Sequence, residues 1–172
     1  MKDKLSRYVK RIADELKLPV YQRPEIVIDN DMDYAGFITF KNGHFVMRLS
    51  SQLDWVEIQN TIRHELGHIK SSPNTYMHWE DEEENLLSTV AIRELNARKY
   101  ECNLNHRDIN TELVFYWMVQ MCREFYNTPI QFIVDYCIYV ARNNDVPPKA
   151  VKLAARQTIK YFKQYKRLKI DY

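Results

Sequence analysis

The stretch 63–69, Arg-His-Glu-Leu-Gly-His-Ile, constrains this chain most, because it places two histidines four residues apart with a glutamate after the first. On a helix, that spacing puts His64 and His68 on one face, where both imidazoles can bind one zinc ion. Glu65, rotated by about 100° from His64, can then act as general base on a water molecule. The pattern H-E-x-x-H is typical of zinc-dependent hydrolases. The alternative is an ordinary helix with two polar surface histidines.

Composition limits the remaining classes of protein. The 172 residues are 45% apolar and 28% charged with a net charge of +2, which indicates a globular domain and argues against direct nucleic-acid binding. No apolar run approaches the roughly 18 residues of a membrane span, so we expect no membrane partner and a cytoplasmic location. Cys102, Cys122 and Cys137 lack paired spacing and are predicted to be core thiols. The oligomeric state stays open.

Local patterns upstream of the motif predict a helix, a strand and a hairpin. The helix has apolar residues at helical spacing and ends before a proline; they are Leu5, Tyr8, Val9, Ile12, Ala13 and Leu16. We expect it to pack on the domain. A strand follows over Glu25 to Asp29, and then Asn42-Gly43 predicts a type I′ turn. That turn pairs Lys41 with His44, Phe40 with Phe45 and Ile38 with Met47.

The motif helix is predicted to begin at a capping box formed by Asp54 and Glu57 and to end near Ser71-Ser72-Pro73. The strand from Phe45 to Ser50 lies immediately before it. In zinc peptidases a strand at the edge of the sheet can bind an extended substrate. We consider that role for this strand, with an ordinary paired strand as the alternative.

Glu94 is the candidate third ligand of the zinc ion. It interrupts an apolar helical stripe made by Leu87, Val90, Ala91 and Ala97. A carboxylate there is costly unless it pairs with a cation or a metal. A catalytic zinc ion needs a third protein ligand. The alternatives are an ion pair with Arg63 or Arg98, or a third ligand from the acidic run 80–84, whose simpler role is at a helix N-terminus.

The remainder is predicted to be helical. Asp108 or Asn110 caps one helix, Thr128-Pro129 begins the next, and a last helix follows Pro147-Pro148. From residue 149 to residue 172 there are eight Lys or Arg and one acidic residue, which is either a partner-binding face or a solvated basic helix. The predicted fold is therefore α+β, a small antiparallel sheet packed on a zincin-type H-E-x-x-H helix in residues 1–102. Residues 103–172 are predicted to form an all-helical extension packed on that core.

With the hairpin, His64-Glu65-Leu66-Gly67-His68 and Arg93-Glu94-Leu95-Asn96-Ala97 in this order, the chain resembles the ImmA/IrrE family of bacterial and phage metallopeptidases. The likeness covers roughly residues 25–100. It implies zinc ligation by His64, His68 and Glu94, with Ala97 completing a Glu-x-x-Ala context, and catalysis by Glu65. After Ala97 the chain continues with Arg-Lys-Tyr instead of the small and aromatic residues common in the family.

The resemblance implies a site-specific protease whose substrate is a helix-turn-helix repressor of a mobile element or stress response, an anti-repressor role. Chemistry alone offers Tyr76, His78 and His106 as oxyanion donors. The alternative function is a non-catalytic, metal-containing regulator that binds a repressor or DNA through its basic C-terminal helix. The presence of Glu65 favours catalysis, because a pure metal scaffold does not need it.

Overall fold

The computed structural model describes residues 2–33, 35–71, 87–101 and 107–165. These residues form three strands and six α-helices, which confirms the α+β class. The elements are α1 (Lys2–Glu15), β1 (Glu25–Asp29), β2 (Gly36–Lys41), β3 (His44–Ser50), α2 (Trp55–Ser71), α3 (Leu87–Glu101), α4 (Thr111–Glu124), α5 (Ile130–Asn143) and α6 (Pro148–Gln164). Contacts group the chain into two compact units, residues 1–82 with 100–102, and residues 83–99 with 103–172. Helix α3 thus contributes residues to both.

The sheet of the first unit is mixed, and the prediction of an antiparallel sheet is wrong. Strand β3 lies in the centre, antiparallel to β2 and parallel to β1. Asp29 at the end of β1 and Gly36 at the start of β2 lie beside the same end of β3, opposite Ser50 and Leu49. The short connection crosses that end, so β1 and β2 run in opposite directions on the two sides of β3.

The hairpin is confirmed in its turn and its register. Asn42 and Gly43 both have positive φ, 53° and 81°, as a type I′ turn requires. The three predicted pairs, which join Lys41 with His44, Phe40 with Phe45 and Ile38 with Met47, are all present. Since β3 is paired on both sides, however, the idea that the strand from Phe45 to Ser50 binds substrate along a free edge is wrong.

Helices α1 and α2 build the first core together with the sheet. Helix α1 buries five residues of the predicted apolar stripe, Leu5, Tyr8, Val9, Ile12 and Ala13, whereas Leu16 lies just after the helix and is partly buried. Helix α2 lies close to the start of β2. A Cβ atom added at Gly36 would lie only 2.7 Å from Thr61 Cγ2 and 2.9 Å from the carbonyl oxygen of Arg48. Glycine is therefore needed at the start of β2 for the helix to pack at this distance.

Helices α3 to α6 build the core of the second unit around Trp117. Asn110 caps α4 by accepting a hydrogen bond from the Leu113 backbone N–H, as predicted. Helix α5 begins at Ile130, with Pro129 and not the predicted Thr128 at its N-cap position. Cys122 and Cys137 are fully buried core thiols, which confirms the prediction for these two cysteines. Burial, with a contribution from Cys122, raises the pKa of the Cys137 thiol well above its usual range.

Candidate metal centre

The helix that carries the histidine pair begins at the predicted capping box. The backbone N–H of Glu57 donates to Asp54 Oδ1 over 2.9 Å, and the Asp54 N–H donates to Glu57 Oε2 over 2.8 Å. Helix α2 then buries Ile62 and Leu66 against the sheet. The capping box and this apolar contact with the sheet anchor α2, and together they determine where its polar face lies within the first unit.

The three polar side chains of the motif are buried, although the alternative interpretation requires histidines on a solvent-exposed surface. His64, Glu65 and His68 are only 8%, 6% and 6% exposed. Buried polar groups of this kind need partners, since desolvation is costly otherwise. The motif is thus an interior polar site and not the outer face of an ordinary helix.

The histidine rings converge on one point. Their Nε2 atoms are 3.1 Å apart and the rings are perpendicular. Two zinc–nitrogen bonds of about 2.0–2.1 Å at a tetrahedral angle place the two nitrogens about 3.3 Å apart, so the observed spacing fits one shared ion. Without a metal, the same distance suits an N–H···N hydrogen bond between His64 and His68.

Glu101, at the end of α3 and within the first unit, contacts the other nitrogen of His64. Its Oε1 lies 3.1 Å from His64 Nδ1, which meets the distance of an ion pair but not the angle of a hydrogen bond. Metal-binding histidines commonly have a carboxylate on the nitrogen that does not bind the metal. Glu101 is placed to orient His64 in this way.

Glu94 lies on the buried face of α3, as the apolar stripe predicted, and is 9% exposed. Its Oε2 accepts a hydrogen bond of 3.0 Å from Gln120 Nε2 on α4. The Oε1 atom of Gln120 in turn accepts one of 2.8 Å from Arg98 Nη2. Arg63 is engaged elsewhere, because it bonds Glu15 and the Tyr8 hydroxyl. Among the described residues Arg63 thus does not pair with Glu94, and the alternative ion pair of Glu94 with Arg98 stays open.

The structure brings the three predicted ligands together. The ligand atoms of His64, His68 and Glu94 all lie within 4.8 Å of one another. Within the described ranges, this is the one group of three His, Cys, Asp or Glu side chains close enough to hold a metal ion. Two imidazoles and one carboxylate form the ligand set that catalytic zinc sites use.

Two residues of the site were missed by sequence analysis. Gln120 lies in α4, and Glu101 follows Glu94 by seven residues, two helical turns away on the same face. The seven-residue spacing was a usable signal for Glu101, whereas nothing in the sequence pairs Gln120 with Glu94. The candidate oxyanion donors Tyr76, His78 and His106, the acidic run 80–84 and Cys102 lie outside the described residues.

The basic C-terminal helix presents a straight line of cations. Five side chains of α6 are exposed and form no ion pair with the described part of the chain; they are Lys149, Lys152, Arg156, Lys160 and Lys163. At 100° per residue they fall within an arc of about 80° and span about 21 Å. The opposite face is buried through Val151, Ala154 and Thr158. Both predicted interpretations of this helix stay open.

Comparison with protein-family models, with curated proteins and with solved structures finds no match. The likeness to the ImmA/IrrE family thus depends on the motif residues of this chain alone. In the described part of the chain, no helix combines the length and the apolar character needed to cross a membrane.

Proposed function

We propose that this chain is a zinc-dependent peptidase in which His64, His68 and Glu94 hold the metal ion and Glu65 is the general base. The observation that carries the proposal is the buried grouping of these three ligand side chains, with Glu65 buried on the helix of the histidines. An ordinary structural role would not require two imidazoles and a carboxylate to converge in the interior.

The chemistry follows from the roles of the residues. A zinc ion held by His64, His68 and Glu94 would supply Lewis-acid activation of a water molecule, lowering the pKa of that water towards about 7. The carboxylate of Glu65 accepts the proton of the attacking water and then donates it to the nitrogen of the leaving amine. Burial of Glu65 strengthens its electrostatic interaction with the reacting groups, because the local dielectric is low.

The outer edge of β2, which pairs with no strand in the described part of the chain, is the proposed place for an extended substrate. Strand β2 is an outer strand of the sheet, and its first residue, Gly36, packs against Thr61, three residues before His64. A peptide that hydrogen-bonds to the outer edge of β2 adds a strand to the sheet. This proposal moves the substrate-binding role from β3 to β2, because β3 has no free edge.

The substrate class comes from the family resemblance. We propose a helix-turn-helix repressor as the substrate, so that cleavage gives an anti-repressor function. The first candidate to test is such a repressor encoded in the same genomic neighbourhood.

The test uses protein purified without added zinc. Metal content is measured first, and the repressor is then incubated with the parent, with Glu65→Gln and with Glu112→Gln, a control on the exposed surface of α4. We expect the parent and the control to cleave the repressor, with loss of cleavage on chelation and recovery with zinc. Equal cleavage by the parent and Glu65→Gln would contradict the role of Glu65.

A second candidate function has an observation of its own, the line of exposed cations on α6. In that case the protein acts as a non-catalytic regulator, and Glu65→Gln with a full zinc content still inactivates the repressor. Binding of labelled duplex DNA that weakens steeply with salt, and weakens again in Lys152→Gln/Arg156→Gln/Lys160→Gln, would support direct contact with phosphates. Salt-independent binding of the repressor alone would support a protein partner.

A further inference from the structure

Glu94 is held from the neighbouring helix by a neutral side chain. Gln120, 26 residues further along the chain, donates its amide Nε2–H to Glu94 Oε2 over 3.0 Å, and its Oε1 accepts from Arg98 Nη2 over 2.8 Å. All three residues belong to the second unit. The amide therefore joins a carboxylate on one side to a guanidinium on the other.

The chemistry of the two partners determines the orientation of the amide. A guanidinium has only donors, and an ionised carboxylate has only acceptors. A flipped Gln120 amide would direct its NH₂ group at Arg98 and its oxygen at Glu94, so both hydrogen bonds would be lost. The arrangement thus holds Oε2 of Glu94 in one position.

A neutral donor suits a carboxylate that must bind a cation. Glu94 is itself 9% exposed, so an unsatisfied carboxylate oxygen would be costly there. Gln120 satisfies Oε2 without adding a formal positive charge of its own. Outer-sphere hydrogen bonds of this kind orient ligating carboxylates and strengthen metal binding.

We propose that Gln120 is a positioning residue for the metal ligand Glu94. By holding Oε2, Gln120 sets the orientation of the whole carboxylate towards the metal. This inference depends on the proposed zinc site. Arg98 supports it by fixing the amide of Gln120 from the opposite side.

The experiment measures zinc affinity of the full-length protein by competition with a chelator. Two variants change Gln120: Gln120→Leu removes both hydrogen bonds, and Gln120→Glu keeps the acceptor for Arg98 but places a carboxylate against Glu94. The matched control is Gln157→Leu, at an exposed glutamine of α6. We expect both Gln120 variants to bind zinc about 10- to 100-fold more weakly, and the control to match the parent.

A positioning role predicts coupling that a merely structural role does not. In a Glu94→Gln background, Gln120→Leu should cause no further loss of affinity, because the carboxylate that it orients is gone. The visible absorption spectrum of the cobalt-substituted Gln120→Glu protein should differ from that of the parent, since the ligand geometry has changed. The spectrum of the cobalt-substituted Gln157→Leu protein should match that of the parent.

The outcomes separate the inference from the proposed function. A parent protein that binds no zinc overturns both. A parent whose zinc affinity falls in Glu94→Gln but is unchanged in both Gln120 variants overturns the positioning role alone. The positioning role is also overturned if the metal-free Gln120 variants melt at a lower temperature but bind zinc with parental affinity. In that case Gln120 would only stabilise the packing of α3 on α4.

Discussion

The two kinds of ligand in the candidate metal centre are positioned in different ways. His64 and His68 lie one helical turn apart on α2, so the helix itself sets their spacing. Glu94 lies on α3, and its carboxylate is held by Gln120 from α4. A change that weakens the anchoring of α2 should therefore cost stability, whereas a change beside Glu94 should cost metal affinity.

The largest effect is expected at the histidines. His64→Ala and His68→Ala should each abolish stoichiometric zinc binding, because either change leaves too few protein ligands for a stable site. Metal analysis after dialysis measures the effect, and His44→Ala on the exposed edge of the hairpin is the matched control. Full zinc content in both variants would show that the site lies elsewhere.

The next effect separates the two glutamates. Glu94→Gln should weaken zinc binding and remove peptidase activity while the fold is retained, because a neutral amide fits the space but is a poor zinc ligand. Glu65→Gln should keep parental zinc affinity and lose only turnover. Chelator competition and repressor cleavage are measured on the same preparations. Normal zinc content and activity in Glu94→Gln would transfer the ligand role to another residue.

Gly36→Ala tests how β2 supports α2. The added methyl group would lie 2.7 Å from Thr61 Cγ2 and 2.9 Å from the Arg48 carbonyl oxygen. We expect the free energy of unfolding to fall by about 1–3 kcal/mol, measured by urea denaturation. Thr61→Ala in the same chain should restore only part of the loss, because the Arg48 backbone cannot retreat easily. Unchanged stability would mean that β2 and α2 separate without cost.

Asp54→Ala tests the other anchor of α2. Loss of the side chain that accepts from the Val56 and Glu57 N–H groups should lower the free energy of unfolding by about 1 kcal/mol. The zinc affinity of the folded protein should stay at the parental value, because the helix still spaces His64 and His68. Asp33→Ala, at an exposed position, is the control. A clear loss of affinity would contradict the comparison drawn above.

The smallest expected effect is in the core of the second unit. Burial holds the pKa of Cys137 well above its usual range, so its thiolate fraction stays low as the pH rises from about 7 to 9. In Cys102→Ala protein we expect no reaction with a thiol reagent over this range, and reaction of Cys122 and Cys137 after unfolding. Fast labelling of the native protein would show that the core supporting Glu94 opens readily.

Much of the first unit was predictable, because its signals are local. The Asn42-Gly43 turn determines the register from Lys41 to His44, and Asp54 with Glu57 determines where α2 begins. The position of β1 was not predictable, since a short strand carries no information about which side of β3 it joins or in which direction. That choice depends on how the chain crosses the end of the sheet after Asp29.

The sequence by itself determined the histidine pair, its adjacent glutamate and the anomaly of a carboxylate at position 94, because each follows from the helical period and from the cost of burying a charge. Only the tertiary structure decided that Arg63 pairs with Glu15, that Glu101 contacts His64 and that Gln120 holds Glu94. These partners are far from one another in the chain, and side-chain packing selects them from several residues of equal chemistry. A helical repeat relates residues of one helix, and it contains no information about the helix that lies beside it.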